Sequence, residues 1–106
     1  MTYAEVTCKE KTTMREKEIE QKFTLMVKQA GGLALKFVSP GMSGMPDRIV
    51  LLPGGHTAFV EVKAPGKVPR PLQEVRHRML RKLGFKVYVL DNADQIGGVI
   101  DEIQTT

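Results

Sequence analysis

Two strand-like runs, Asp47 to Leu52 and Thr57 to Lys63, flank Pro53-Gly54-Gly55-His56, a cluster of turn formers that cannot continue a strand. This predicts a β-hairpin, which commits two antiparallel neighbours and leaves the rest of the chain to cover their faces. In Thr57-Ala58-Phe59-Val60-Glu61-Val62-Lys63 the side chains alternate between faces. Phe59, Glu61 and Lys63 share one, and Ala58, Val60 and Val62 share the other. An acid and a base therefore lie side by side at the end of an apolar strand, with Cα atoms about 6.5 to 7 Å apart.

The remaining elements follow from periodicity and punctuation. A capping box of Thr13 with Glu16 opens a helix whose apolar positions Ile19, Phe23, Met26, Val27 and Ala30 repeat at 3.6 residues, and Gly31-Gly32 ends it. Leu33 to Val38 reads as a strand and Ser39 to Pro46 as a loop. After the hairpin, the prolines of Ala64 to Pro71 form a second loop. Leu72 to Leu83 is then a helix expected to turn Leu72, Val75, Met79, Leu80 and Leu83 inward, with Gly84 as its cap. Phe85 to Leu90 is a fourth strand, and Asp94 to Ile103 a closing helix weakened by Gly97 and Gly98. The order αβββαβα predicts an α/β fold: a mixed four-stranded sheet flanked by helices.

At 106 residues and 11.8 kDa the chain has room for one domain, residues 13–106, behind an N-terminal arm of residues 1–12. Its longest wholly apolar runs, such as Ile49 to Leu52, are four residues, whereas a membrane span needs about 20. Charges occupy the place where a secretory signal carries its apolar stretch, so the expected location is the cytoplasm. Cys8 is the single cysteine, which excludes an internal disulfide and a cysteine-based zinc cage.

The net charge of +4 is unevenly distributed. Residues 61–90 hold eight Lys or Arg against two Glu, while residues 91–106 hold four acids and no base. A basic block of this kind suits a phosphate-contacting surface, although a solvated helix face would look the same. Gln73, His77 and Arg81 recur every four residues as one stripe, flanked by Arg70, Arg76, Arg78 and Lys82, and this stripe is a candidate nucleic-acid face. An aromatic content of 6% argues against stacking platforms for single strands.

Asp47 begins the strand that partners Thr57 to Lys63, so the hairpin brings a second carboxylate towards Glu61. Two carboxylates and a lysine suit a hard divalent cation acting on a phosphodiester, because Mg²⁺ is held by one or two carboxylates, water and phosphate oxygens. An isolated Glu-x-Lys is common on exposed strands, so the triplet alone does not establish such a site. Register adds a condition. A loop of Pro53 to His56 makes the numbers of opposed residues sum to 109, which sets Asp47 against Val62 and turns it away from Glu61. A metal site requires an even sum, from a three- or five-residue loop or a bulge, or else a bend at Pro46-Asp47.

Gly44-Met45-Pro46-Asp47-Arg48 followed by Phe59-Val60-Glu61-Val62-Lys63 resembles the PD-(D/E)xK nuclease superfamily. More narrowly, it resembles the VRR-Nuc (virus-type replication-repair nuclease) domain in a stand-alone, phage-like form. The similarity runs from about Glu16 to Ile103. It includes Glu18-Ile19-Glu20, Gly31-Gly32, Glu61-Val62-Lys63-Ala64-Pro65-Gly66, Pro71-Leu72-Gln73 and Leu83-Gly84. The resemblance implies that Asp47 and Glu61 ligate Mg²⁺ or Mn²⁺, with the Val62 carbonyl as a further ligand and Glu20 as an outer one. It implies that Lys63 is the catalytic lysine, and that Gln73 orients Lys63 or contacts the substrate.

With Arg48, Lys67, Arg70, Arg76, His77 and Arg81 as candidate nucleic-acid contacts, the expected function is metal-dependent, structure-specific DNA cleavage by a Holliday-junction resolvase. A homodimer is expected, because a four-way junction must be cut on two strands. Candidate dimer contacts are Tyr3 and Val6 of the arm, the Gly54-Gly55 tip, and Ile96, Val99 and Ile100 of the closing helix. No membrane and no small-molecule cofactor are expected. A flap, nicking or RNA-processing nuclease and a non-catalytic nucleic-acid-binding module stay open, although binding alone would not need the intact triad.

Overall fold

A computed structural model describes residues 15–105. The arm with Tyr3, Val6 and Cys8, and the Thr13 cap, lie outside the described residues. The elements run α1 (Glu16–Gln29), β1 (Leu33–Lys36), β2 (Arg48–Leu52), β3 (His56–Val62), α2 (Pro71–Lys82) and β4 (Lys86–Leu90). A short 3-10 turn (Ala93–Gln95) leads into α3 (Ile96–Gln104). The expected αβββαβα order holds, with ends displaced by one or two residues. Among the described residues no helix is long and apolar enough to cross a membrane.

The sheet order is β1-β2-β3-β4, antiparallel for the first two pairs and parallel between β3 and β4. The crossover through α2 makes the last pair parallel. Strand β3 is central, and Ala58 to Val62 are buried on both faces. The alternation seen in the sequence sorts those faces. Ala58, Val60 and Val62 pack with Val50, Leu52 and Leu90 beneath Ile19, Phe23 and Val27 of α1 and Ile96, Ile100 and Ile103 of α3. On the other face Phe59 and Val87 meet Leu80 of α2, with Phe37, Met45 and Ile49 against them.

The hairpin resolves the register condition. Leu52 pairs with His56 and Arg48 with Val60, so Pro53, Gly54 and Gly55 form a three-residue loop and the sum of opposed residues is even. Gly54 and Gly55 both have positive φ, 88° and 81°, which lets the chain reverse that tightly. Asp47, one residue before β2, therefore comes opposite Glu61.

Two expectations are corrected. Helix α2 turns Gln73, His77 and Leu80 inward, while Leu72, Val75 and Leu83 are 44%, 43% and 67% exposed. Its inner side faces a sheet surface that contains Glu61, and a buried carboxylate requires hydrogen-bond partners that leucine and valine cannot supply. The closing helix also spends Ile96 and Ile100 on its own core, so they are not available as a dimer contact. Strands β1 and β2 instead leave Leu33, Leu35 and Leu51 exposed.

Candidate active site

Asp47 leaves a loop that is held from three sides. The Phe37 N–H donates to the Asp47 carbonyl at 2.8 Å, Arg76 Nε donates to the Ser43 carbonyl at 2.9 Å, and Pro46 is fully buried. Gly44 sits against the start of α2 with φ +85°, where a Cβ would lie 2.8 Å from Leu72 Cγ. That approach is open to glycine alone, so Gly44 docks the loop on the helix that also carries Gln73 and His77. The Val62 N–H donates to Asp47 Oδ2 at 2.9 Å, which pins the carboxylate to β3. In an extended strand a residue's carbonyl points to the same edge as its N–H. The Val62 carbonyl thus turns towards Asp47.

Glu61 is the buried centre of the site, 1% exposed. The even register sets Asp47 opposite it, one residue beyond the Arg48–Val60 pair. Gln73 Nε2 donates to its Oε2 at 3.2 Å, and His77 Nε2 lies 3.4 Å from its Oε1. Lys63 Nζ is 3.9 Å from Oε2 and mostly buried. Gln73 also accepts the Arg70 N–H at 2.8 Å, so one amide caps α2 and grips the carboxylate. Its side-chain contact within the protein is with Glu61 rather than with Lys63.

Burial, followed by the hydrogen bond and charge of Asp47, pushes the Glu61 carboxyl from its ordinary 4.5 up to about 8, and Lys63 offsets this only in part. The pair is short of positive charge. Two adjacent carboxylates and a carbonyl turned towards them match the oxygen donors of a hard divalent cation. No group of three or more His, Cys, Asp or Glu that could hold a metal occurs among the described residues. A cation held by Asp47 and Glu61 would therefore complete its shell with water and substrate oxygens, as Mg²⁺ commonly does.

Glu20 does not join this pair. Its Oε2 lies 3.4 Å from Arg48 Nε, and Arg48 also donates from Nη1 to the Ala34 carbonyl at 3.1 Å. Arg48 is one residue out of phase with Asp47 and projects to the α1 side of the sheet, so it draws Glu20 there. Of the acids of α1, Glu16 adds to the rise of the Glu61 carboxyl through its charge, as the smallest of its causes.

The expected nucleic-acid stripe divides. His77 is 2% exposed and belongs to the buried site rather than to a solvent face. Arg81 donates from Nη2 to the Val87 carbonyl on the free edge of β4 at 2.8 Å, and Arg76 and Arg48 hold backbone carbonyls as described. Lys67 and Arg70 are exposed in and just after the loop that follows β3. A cleft of about 350 Å³ between α2 and β4 is lined by Pro69, Glu74, His77, Arg78, Arg81 and Val89.

Two shifts predict how stability depends on pH. The folded protein keeps the Glu61 proton up to about pH 8, whereas the unfolded chain releases it near 4.5. Between these values the unfolded state binds fewer protons, so stability falls as pH rises. Burial, then the Arg81 charge, holds His77 below its ordinary 6.5, which acts with the opposite sign at lower pH. The window from about 6.5 to 8 therefore reports Glu61. In EDTA the melting temperature is expected to fall across it, by about 4–8 °C for each kcal/mol of stability lost. Glu61→Gln should flatten the slope. A wild-type profile already flat over that window would contradict a proton held at Glu61.

Comparisons with known proteins bear on the family and the fold. No protein-family model matches the chain. "Putative nuclease p44" of Acyrthosiphon pisum secondary endosymbiont phage 1 is 51% identical over 81 residues, which is 76% of this chain and 87% of that protein. A solved structure described as a VRR_NUC domain superposes with a TM-score of 0.76 at 33% identity, covering 81% of this chain and 94% of that one. The sheet order, the Asp47–Glu61–Lys63 grouping and these two relatives together assign the chain to the VRR-Nuc family of the PD-(D/E)xK nuclease fold.

Proposed function

We propose that this chain is a metal-dependent endonuclease that hydrolyses phosphodiester bonds in branched DNA, most specifically as a Holliday-junction resolvase acting as a homodimer. The observation that carries the proposal is the hairpin register that sets Asp47, held by the Val62 N–H, opposite Glu61 beside Lys63, in a protein with a basic segment. Asp47, Glu61 and the Val62 carbonyl would hold Mg²⁺ or Mn²⁺. The bound ion would lower the pKa of a water nucleophile and offset charge on the phosphoryl group. Lys63 places an ammonium at the end of β3, where it can donate to a substrate oxygen as charge builds there. Lys67 and Arg70, exposed in and just after the loop that follows Lys63, are suited to the flanking phosphates, which fix the register of a duplex without reading its sequence.

The junction preference rests on charge. Backbone contacts made by a basic segment favour recognition of shape over sequence. Two related incisions need two sites, which a twofold dimer supplies. Leu33, Leu35 and Leu51 offer apolar area that such a contact would bury. The match to a phage protein fits a phage-encoded enzyme acting in the host cytoplasm.

The test is cleavage of four-way, flap, duplex and single-stranded DNA, and of matched RNA, with Mg²⁺, Mn²⁺ or EDTA, alongside sedimentation of the free and junction-bound protein. Symmetric paired incision of the four-way substrate by a dimer is the expected result. A monomer that nicks or trims flaps would move the assignment to a flap nuclease. Preferential RNA cleavage would make the protein an RNA-processing nuclease. Binding without cleavage under every metal condition would leave a nucleic-acid-binding module.

A further inference from the structure

We propose that His77 is a positioning residue: from α2 it fixes the orientation of the Glu61 carboxylate for cation binding, together with Gln73. The proposal rests on the nuclease reading above. Gln73 and His77 are four residues apart on one face of α2, and both are buried against the same side chain. The amide approaches Oε2 at 3.2 Å and the imidazole approaches Oε1 at 3.4 Å, so each oxygen of Glu61 has its own contact from the helix. Two contacts on opposite oxygens stop rotation about the last side-chain bond. Asp47 stands opposite Glu61 in the hairpin register.

The neighbouring side chains leave His77 to this task. Arg81 is committed to the Val87 carbonyl, and Glu61 Oε1 is the hydrogen-bond partner of the imidazole Nε2. An imidazole also adds a hydrogen bond without the permanent charge of lysine or arginine, which would compete with a cation for the carboxylate. Hydrogen bonds to ligating carboxylates orient them, and losing such a partner commonly costs about 10- to 100-fold in metal affinity. The competing role is packing alone, in which any side chain of similar volume would serve.

His77→Leu fills the space without a donor, whereas His77→Gln restores an N–H that can reach Glu61. Manganese binding to the full-length, DNA-free protein is read by titration calorimetry, with circular dichroism and melting curves verifying that each variant is folded. His77→Leu is expected to weaken Mn²⁺ binding by about 10- to 100-fold. The Mn²⁺ concentration for half-maximal cleavage should rise in parallel, junction affinity in EDTA should stay unchanged, and His77→Gln should recover most of the loss. Equal Mn²⁺ affinity in wild type and His77→Leu overturns the proposal, and so does a His77→Gln variant as weak as His77→Leu. Absence of Mn²⁺ binding by the wild type overturns the metal-dependent nuclease reading itself, so the two failures are distinguishable.

Discussion

Replacing Asp47 or Glu61 by alanine is expected to reduce single-turnover cleavage of a four-way junction by at least about 10³-fold, while affinity for the junction in EDTA persists. The size follows from the donor set. With two side-chain carboxylates beside one backbone carbonyl, each substitution removes half of the fixed anionic charge that would hold the cation. Metal-ion catalysis contributes several kcal/mol of charge stabilisation, and each 1.36 kcal/mol is about tenfold in rate. Asp47 also accepts the Val62 N–H, so Asp47→Ala could act by loosening β2 from β3. Asp47→Asn separates the two effects, because the amide oxygen keeps the acceptor and loses the charge. It should be as inactive as the alanine variant with a near-native melting temperature. Cleavage close to wild type from the Asp47→Asn or Glu61→Ala protein would remove that residue from the proposed ligand set.

Lys63→Ala is expected to lower the single-turnover rate by about 10² to 10³-fold at saturating junction, with little change in the dissociation constant. A group that stabilises charge present only in the transition state changes the rate rather than the affinity, and a single lost oxyanion donor costs about that much. Lys63 Nζ reaches the buried Glu61 from a side chain that is itself largely enclosed, whereas a phosphate anchor would extend into solvent. Rate and binding measurements on one substrate decide the matter. A weaker complex that still cleaves at the wild-type rate would make Lys63 a phosphate contact.

Much of this architecture is legible from local rules. Alternation in Thr57 to Lys63 sorted Phe59 and Glu61 from Ala58, Val60 and Val62 correctly, because a strand has no freedom to place residues i and i+2 on different faces. Gly31-Gly32, the hairpin glycines and Gly84 marked reversals that the backbone does make, with positive φ at Gly31, Gly54, Gly55 and Gly84. Loop length was less accessible. Assigning His56 to the turn or to β3 changes the register by one and moves Asp47 from one side of the sheet to the other. The even register follows from Leu52 pairing with His56, a contact between strands that neither strand specifies alone.

By itself, the sequence determined the order of elements, the central hairpin, and the presence of Asp47, Glu61 and Lys63 at spacings suited to a metal-dependent nuclease. Tertiary structure alone decided which side of α2 is inside. The helix carries two stripes at the same 3.6-residue period: Leu72, Val75, Met79 and Leu83, or Gln73, His77 and Leu80. Hydrophobicity favours the first stripe. The sheet beneath the helix contains Glu61, however, and a carboxylate withdrawn from water needs hydrogen-bond donors more than the helix needs to hide three half-exposed aliphatic side chains. The same logic drew Glu20 to Arg48 and Arg81 to the edge of β4, because a charged group settles beside the partners the fold brings within reach, and only the folded chain brings them there.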